Sequence, residues 1–259
     1  MLENLKISIV QTSLFWEDKT ANLKMFEELI APLKDQTDLI VLPEMFTTGF
    51  TMKAKEFAET MNGSTVKWMR TMARDLNSRI IGSIIIEENG HFYNRLIWVE
   101  SWDIFGVYDK RHLFRMAEEH HYYTAGKKKL IETIKGWRIC PLICYDLRFP
   151  VWSRNKNDYD VLIYIANWPE RRNHAWKTLL MARAIENQCY VVGVNRIGED
   201  GNGVSHSGDS LVIDPKGFVI SKTKPNQVSV ETVELNYNDL AEYRNTFPVG
   251  LDADDFEIK

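Results

Sequence analysis

Apolar residues in this chain fall into short continuous runs separated by amphipathic stretches. Lys6-Ile7-Ser8-Ile9-Val10 reads as a β-strand, and Asp38 to Leu42 as a near-continuous apolar one. A strand without alternation belongs in a sheet covered on both faces. Between them, Asp18 or Thr20 caps a helix with Leu23, Phe26, Ile30 and Leu33 on one face and Pro32 in its end region. Residues 45–53 form an ordered loop, and Ser64 starts a second helix with Met69, Met72 and Leu76 inward. Arg79 to Glu87, His91 to Glu100 and Ile104 to Tyr108 read as three consecutive strands, the first two joined by an Asn89-Gly90 hairpin turn.

Lys110 to Gly126 has no clean period. Leu130 to Ile134 and Trp137 to Ile143 make a hairpin around Lys135-Gly136, and a short segment follows near Val151 to Asn155. Val161 to Ile165 is another buried strand. Arg171 to Gln188 is helical, with Trp176, Leu179, Leu180 and Ala184 as its inner stripe. Tyr190 to Val194, Ser205 to Ile213, Phe218 to Lys222 and Val228 to Glu234 complete the strands, with turns at Gly201-Asn202-Gly203 and Pro215-Lys216-Gly217. Asn236 to Tyr243 is a last short helix, followed from Arg244 by an acidic, extended tail carrying Phe247, Leu251 and Phe256. No linker, repeat or low-complexity break divides the chain, so residues 1–259 read as one domain. Helices separated by runs of strands suit an α/β architecture of two sheets packed face to face, each covered by helices outside. A single doubly wound parallel sheet competes with it.

Composition narrows the function. The 259 residues are 44% hydrophobic and 26% charged, which suits a globular chain that needs no disulfide or metal to hold its core. A formal net charge of −4 gives nucleic acid nothing to bind, and Lys127-Lys128-Lys129 reads as a solvated turn. The three cysteines make no disulfide framework and imply a reducing cytoplasm. The N-terminus lacks the basic and apolar regions of a secretion signal, and no apolar run would span a bilayer.

Three stretches carry chemistry. Ile139 to Cys144 is a strand that turns sharply at Tyr145-Asp146 and displays a thiol at its end, where α/β proteins place reactive groups. Leu42-Pro43-Glu44 delivers a carboxylate to a sheet rim, and Tyr108 to Phe114 delivers the Lys110 amine. Taken singly, each has a bland alternative: Cys144 a small buried hydrophobe, Glu44 a surface carboxylate, Lys110 a solvated amine. Cys140 and Cys189 keep the bland interpretation. No cysteine or histidine spacing matches a metal site, so no metal is expected. His112, His120, His121 and His174 suggest a Cys–His dyad, which ranks below the lysine–glutamate pairing because nothing fixes any of them against Cys144.

Together the blocks Leu42-Pro43-Glu44, Tyr108-Asp109-Lys110-Arg111-His112-Leu113 and Cys144-Tyr145-Asp146-Leu147-Arg148-Phe149 resemble, in order, those of the nitrilase superfamily, the carbon–nitrogen hydrolases. The likeness continues through Ala166-Asn167-Trp168-Pro169 and Ala182 to Gln188. Glu44 to Phe50, Lys110 to Phe114 and Asn167-Trp168-Pro169 resemble its omega-amidase branch, which hydrolyses the side-chain amide of 2-oxoglutaramate and 2-oxosuccinamate. The resemblance implies an αββα sandwich, at least a homodimer, and a thioester mechanism that needs no cofactor. In it Cys144 is the nucleophile, Glu44 the proton carrier, Lys110 and the Tyr145 backbone N–H stabilise the oxyanion, and Glu119, the second glutamate, positions Lys110. A substrate bearing a carboxylate calls for a cation. Arg172 is the first candidate and Arg148 the second, with an ion pair holding the loop as the alternative for each. Phe46 and Trp168 are expected to wall the pocket. Relatives often carry a histidine where this chain has Ala175, which leaves His174 without an assigned role. Rival readings are an N-carbamoyl amino acid or other small-amide hydrolase, a non-catalytic binding protein on this fold, and a redox protein using Cys140 and Cys144.

Overall fold

The computed structural model describes residues 2–101 and 103–258, so Met1 and Lys259, at the ends of the segments read above, lie outside it. In chain order the first half contains β1 (Leu5–Gln11), α1 (Lys19–Ile30), β2 (Leu39–Val41), α2 (Ala54–Phe57), α3 (Ser64–Leu76), β3 (Arg79–Glu88), β4 (His91–Glu100) and β5 (Asp103–Asp109). The second contains α4 (Glu119–Tyr122), β6 (Glu132–Ile134), β7 (Trp137–Ile143), α5 (Pro150–Ser153), β8 (Val161–Ala166), α6 (Asn173–Asn187) and β9 (Tyr190–Asn195). It ends with β10 (Ile197–Glu199), β11 (Ser205–Ser207), β12 (Leu211–Ile213), β13 (Ser229–Leu235) and α7 (Tyr237–Thr246).

Two mixed sheets result, with β10 and β11 forming a separate two-stranded antiparallel ribbon. One runs β13-β1-β2-β3-β4-β5, with β1, β2 and β3 parallel. The other runs β12-β9-β8-β7-β6, with β7, β8 and β9 parallel. The side-chain period of two sorts the first sheet's residues between two cores. Ile7, Ile9, Leu39, Val41, Ile81 and Trp98 face the second sheet, while Val10, Ile40, Leu42, Ile80, Ile97 and Val99 face the helices α1 and α3. The second sheet is covered outside by α6 through Trp176, Leu180 and Ala184. The order is helix, sheet, sheet, helix: the αββα sandwich rather than one doubly wound sheet. Burying both faces of each sheet explains why the strands read as unbroken apolar runs.

Several boundaries differ from the sequence reading. Phe218 to Lys222 is not a strand. Only Val219 bridges to Ile213, and Phe218 is exposed. Ser205 to Ile213 is two strands in different sheets, broken at Gly208 and Asp209, both with positive φ. The start of the Arg171–Gln188 helix is a 3-10 turn over Glu170–Arg172, and α6 begins at Asn173. The tail is less extended than expected, since α7 continues to Thr246 and Val249–Asp252 forms another 3-10 turn. Buried Asp160 anchors this end, accepting from Arg138 at 2.8 Å and from Arg244 at 2.7 Å.

Candidate active site

The parallel strands β2, β7, β8 and β9 end on the same side, and their carboxyl ends deliver the site. β2 runs into Pro43 and Glu44, β7 into Cys144, β8 into Asn167 and β9 into Asn195–Arg196. Cys144 is the first residue of a 3-10 turn, Cys144–Arg148, and holds φ +44°. A non-glycine in this left-handed region costs on the order of 1–3 kcal/mol and persists only where the surroundings enforce it. Here they do. Fully buried Asp146 accepts from Ile143 N at 3.0 Å, from Tyr108 Oη at 2.7 Å and from His112 N at 3.0 Å, and pairs with His112 Nδ1 at 2.7 Å. One carboxylate thus ties the turn that carries Cys144 to the segment that carries Lys110.

Glu44 is completely buried, and both of its oxygens are hydrogen-bonded. Its Oε1 accepts from Lys110 Nζ and from Asn94 Nδ2, each at 2.8 Å. Its Oε2 accepts from Asn167 N at 2.8 Å, while Asn167 Nδ2 donates to the Glu44 backbone carbonyl at 2.5 Å. Lys110 Nζ also lies 3.0 Å from both oxygens of Glu119, whose Oε2 accepts from Phe114 N at 2.5 Å. Two carboxylates around one ammonium set the electrostatics. Burial opposes the charge on Lys110, but Glu119 and Glu44 outweigh it and hold its pKa above the usual lysine value. Burial pushes Glu119 upward against the pull of Lys110. Burial, reinforced by the charge of Glu44, pushes the Cys144 thiol well above its ordinary value. At neutral pH the thiol is therefore protonated, so nucleophilic attack requires a base acting as the bond forms.

These residues open into a cavity of about 360 Å³ whose walls include Phe50, Phe114, Tyr145 and Trp168. The volume suits a small molecule of a few carbons. Arg148, Arg171 and Arg172 line the same cavity. The Arg148 guanidinium lies 4.9 Å from the Trp168 ring centroid, and that of Arg172 lies 5.4 Å from the Phe114 ring. Among the described residues none of the three makes an ion pair, and Arg172 Nη2 donates to Met116 Sδ at 2.9 Å. Burial, then repulsion from Arg171 and Arg148, pushes the Arg172 pKa below its usual value. An anion bound there would relieve that repulsion.

The sequence expectation for Phe46 needs correction. Phe46 is fully buried in the outer core of the first sheet, packed edge-on against Phe26 at 5.4 Å and beside Trp68. Phe50, four residues on, takes the place at the pocket, with Lys110 Nζ 4.9 Å from its ring centroid. Among the described residues, none of the candidate histidines His112, His120, His121 and His174 lines the cavity that holds Cys144. His112 belongs to the Asp146 network and stacks on Phe149 at 3.7 Å, and His174 is exposed. Cys140 and Cys189 are buried, and burial pushes the Cys140 thiol up to about 12. The sequence reading missed Asn94, Phe50 and the β10–β11 hairpin, whose Asp200, Asn202, Val204 and His206 also line the cavity. A signal existed for Asn94: it is an amide in the middle of a buried strand, where polar residues need a reason.

Residues 6–245 match the carbon–nitrogen hydrolase family model. The chain belongs to the carbon–nitrogen hydrolase family. More narrowly, it is 47% identical to Omega-amidase YafV of Escherichia coli (strain K12) across 99% of this chain and 100% of that protein. It is 34% identical to the 2-oxoglutaramate amidase of Bacillus subtilis (strain 168), across 94% of this chain and 95% of that one. The crystal structure of a CN-hydrolase superfamily protein from Xanthomonas campestris, which carries an arsenic adduct in its active site, superposes with a TM-score of 0.97 at 44% identity over the full length of both chains.

Proposed function

We propose that this protein is an omega-amidase that hydrolyses the terminal amide of small 2-oxo-dicarboxylic acid monoamides, 2-oxoglutaramate and 2-oxosuccinamate, to the acid and ammonia. The observation that carries the substrate class is the set of arginines, without ion-pair partners among the described residues, lining the same small cavity as Cys144. They supply a site for the substrate's carboxylate at the end remote from its amide. The whole-length similarity to an omega-amidase and to a 2-oxoglutaramate amidase supports the same reading.

The mechanism follows from the site's charges. Cys144 Sγ attacks the amide carbon as Glu44 takes the thiol proton. The carbonyl oxygen becomes an oxyanion facing the Lys110 charge and the Tyr145 backbone N–H. The C–N bond breaks as Glu44 returns the proton to nitrogen, releasing ammonia and leaving a thioester. A water then attacks the thioester carbon and gives its proton to Glu44, and the thiol is restored as the dicarboxylate leaves. Glu119 acts through Lys110, holding it between two carboxylates. Arg172, half-buried, is the first anchor for the substrate carboxylate, and Arg148, more exposed, the second. The thiol nucleophile suits a reducing cytoplasm, consistent with three free cysteines.

The protein is further proposed to form a homodimer through the face built by α6, the loop after β12 and the tail. Ile185, Phe218, Phe247 and Leu251 are all exposed there. The segments adjoin one another: Gln188 Nε2 donates to the Phe247 carbonyl at 2.7 Å, and Gly217 lies against Ile185. Phe256 is engaged within its own chain by Lys156 Nζ, 4.5 Å from its ring.

The test is to incubate the protein with 2-oxoglutaramate and, separately, with an N-carbamoyl amino acid, measuring ammonia and carbon dioxide. Ammonia from the first alone, abolished in a folded Cys144→Ala variant, is the expected result. Ammonia with carbon dioxide from the second would transfer the enzyme to the carbamoylase branch. Near wild-type turnover by Cys144→Ala would overturn the mechanism.

A further inference from the structure

The two oxygens of Glu44 are not equivalent. Oε1 accepts from both Lys110 Nζ and Asn94 Nδ2 at 2.8 Å, which occupies both of its lone pairs. Oε2 accepts from Asn167 N at 2.8 Å, which leaves it one lone pair, and the Cys144 thiol is hydrogen-bonded to this carboxylate. The donor from Asn94 comes at a cost. Its own Oδ1 is buried and has no hydrogen-bond partner among the described residues. Leaving a buried acceptor unpaired opposes folding, so such an atom in a native site asks for an explanation. Asn94 also reaches the site through its main chain, where its carbonyl accepts from Lys110 N at 3.0 Å.

We infer that Asn94 is a positioning residue that closes Oε1 of Glu44 to protons and so commits the proton transfers of the reaction to Oε2. This rests on the reading of Glu44 as the proton carrier and refines it to one atom. Proton balance is simple. The Cys144 proton goes to the remaining lone pair of Oε2 and leaves from it to the departing ammonia; the attacking water replaces it there, and that proton returns to Cys144 Sγ as the thioester C–S bond breaks. Lys110 and Asn94 keep their bonds to Oε1 throughout, so the carboxylate does not rotate between half-reactions. The charged and titratable groups around Glu44 are Lys110 at the end of β5, Glu119 and Tyr123 of the segment through α4, and Cys144. Asn94 and Asn167 are the neutral donors.

Two substitutions separate this role from a structural one. Asn94→Leu removes the donor and the unpartnered acceptor together at similar volume. It should fold, lower kcat by about tenfold to a hundredfold, a fraction of a general base's contribution, and change KM little. Hydrogen bonds to the charged form of a carboxylate favour that form. Losing one should therefore move the acid limb of the kcat/KM profile to higher pH. Asn94→Asp keeps the shape but donates only while protonated, so its activity should fall with rising pH where the wild type's holds. Limbs that stay in place in either folded variant, whether or not the rate drops, would overturn the inference, because a packing role affects all pH values alike. If Asn94→Leu fails to fold, the Asn94→Asp profile decides by the same criterion. Glu44→Gln, measured in parallel, keeps the two levels apart. An active Glu44→Gln enzyme would remove the proton-carrier reading itself. An inactive one beside unmoved Asn94 profiles would remove only the role of Asn94.

Discussion

Cys144 sits among opposed charges. Lys110 draws its thiol toward ionisation, whereas burial and the carboxylates of Glu44 and Glu119 resist it, and resistance wins. Many cysteine enzymes hold a resting thiolate beside a cation. Here the cation already carries two carboxylates, so a thiolate would add a further negative charge to a buried cluster. The difference in thiolate absorbance between the wild type and Cys144→Ala should accordingly be absent at pH 7 to 8 and appear only above the ordinary thiol value of 9.0. Glu44→Gln removes one of the opposing charges and should bring that titration to lower pH. A thiolate signal near neutrality in the wild type would mean that Lys110 dominates instead.

At the scale of elements, the site depends on short irregular segments clasped together. The turn after β7 is fixed by Asp146, the loop after β5 by the same carboxylate and by Glu119, and Trp168 by Asn195, whose side chain accepts from Trp168 N at 2.8 Å and donates to its carbonyl at 3.0 Å. The 3-10 turn before α6 then presents Arg171 and Arg172 to the cavity, and Trp168 Nε1 donates to the Arg172 carbonyl at 2.9 Å to hold it. Arg172→Ala should raise KM for 2-oxoglutaramate by roughly tenfold to a hundredfold, the scale of one charge-assisted hydrogen-bonded contact. Its kcat should change less, because the guanidinium is proposed to hold the remote carboxylate rather than the reacting atoms. Arg148→Ala should have the smaller effect, in line with its greater exposure. Steady-state kinetics on both variants tests the ranking, and equal or reversed KM effects would exchange the two arginines.

At the scale of the whole molecule, the two sheets bring together residues far apart in sequence. Glu44 comes from the first sheet, while Cys144 and Asn167 come from the second, so the site lies where the sheets meet. The apolar face of α6 and the tail lies on the other side of the second sheet from that contact. Sedimentation should show a dimer at micromolar concentration, and Ile185→Glu should shift it toward monomer by placing a charge in the apolar face. A wild-type monomer, or a variant dimer as tight as the wild type, would remove this face from the assembly.

The sequence by itself determined most of the strands and the kind of protein, a carbon–nitrogen hydrolase. Unbroken apolar runs follow directly from burial on both faces, and Pro43-Glu44, Lys110 and Cys144 stand at the ends of such runs. Burial also left its trace in Trp176, Leu180 and Ala184, the inner stripe of α6. The tertiary structure alone decided which neighbours met. Phe46 and Phe50 are both aromatic and four residues apart, and only the path of the loop sends one to the core and the other to the pocket. Ser205 to Ile213 reads as a single strand, yet positive φ at Gly208 and Asp209 divides it between two sheets. Asn94 is a polar interruption in the pattern of β4. Its meaning appears only when β2 places Glu44 within 2.8 Å of it, a pairing across 50 residues that no local period encodes.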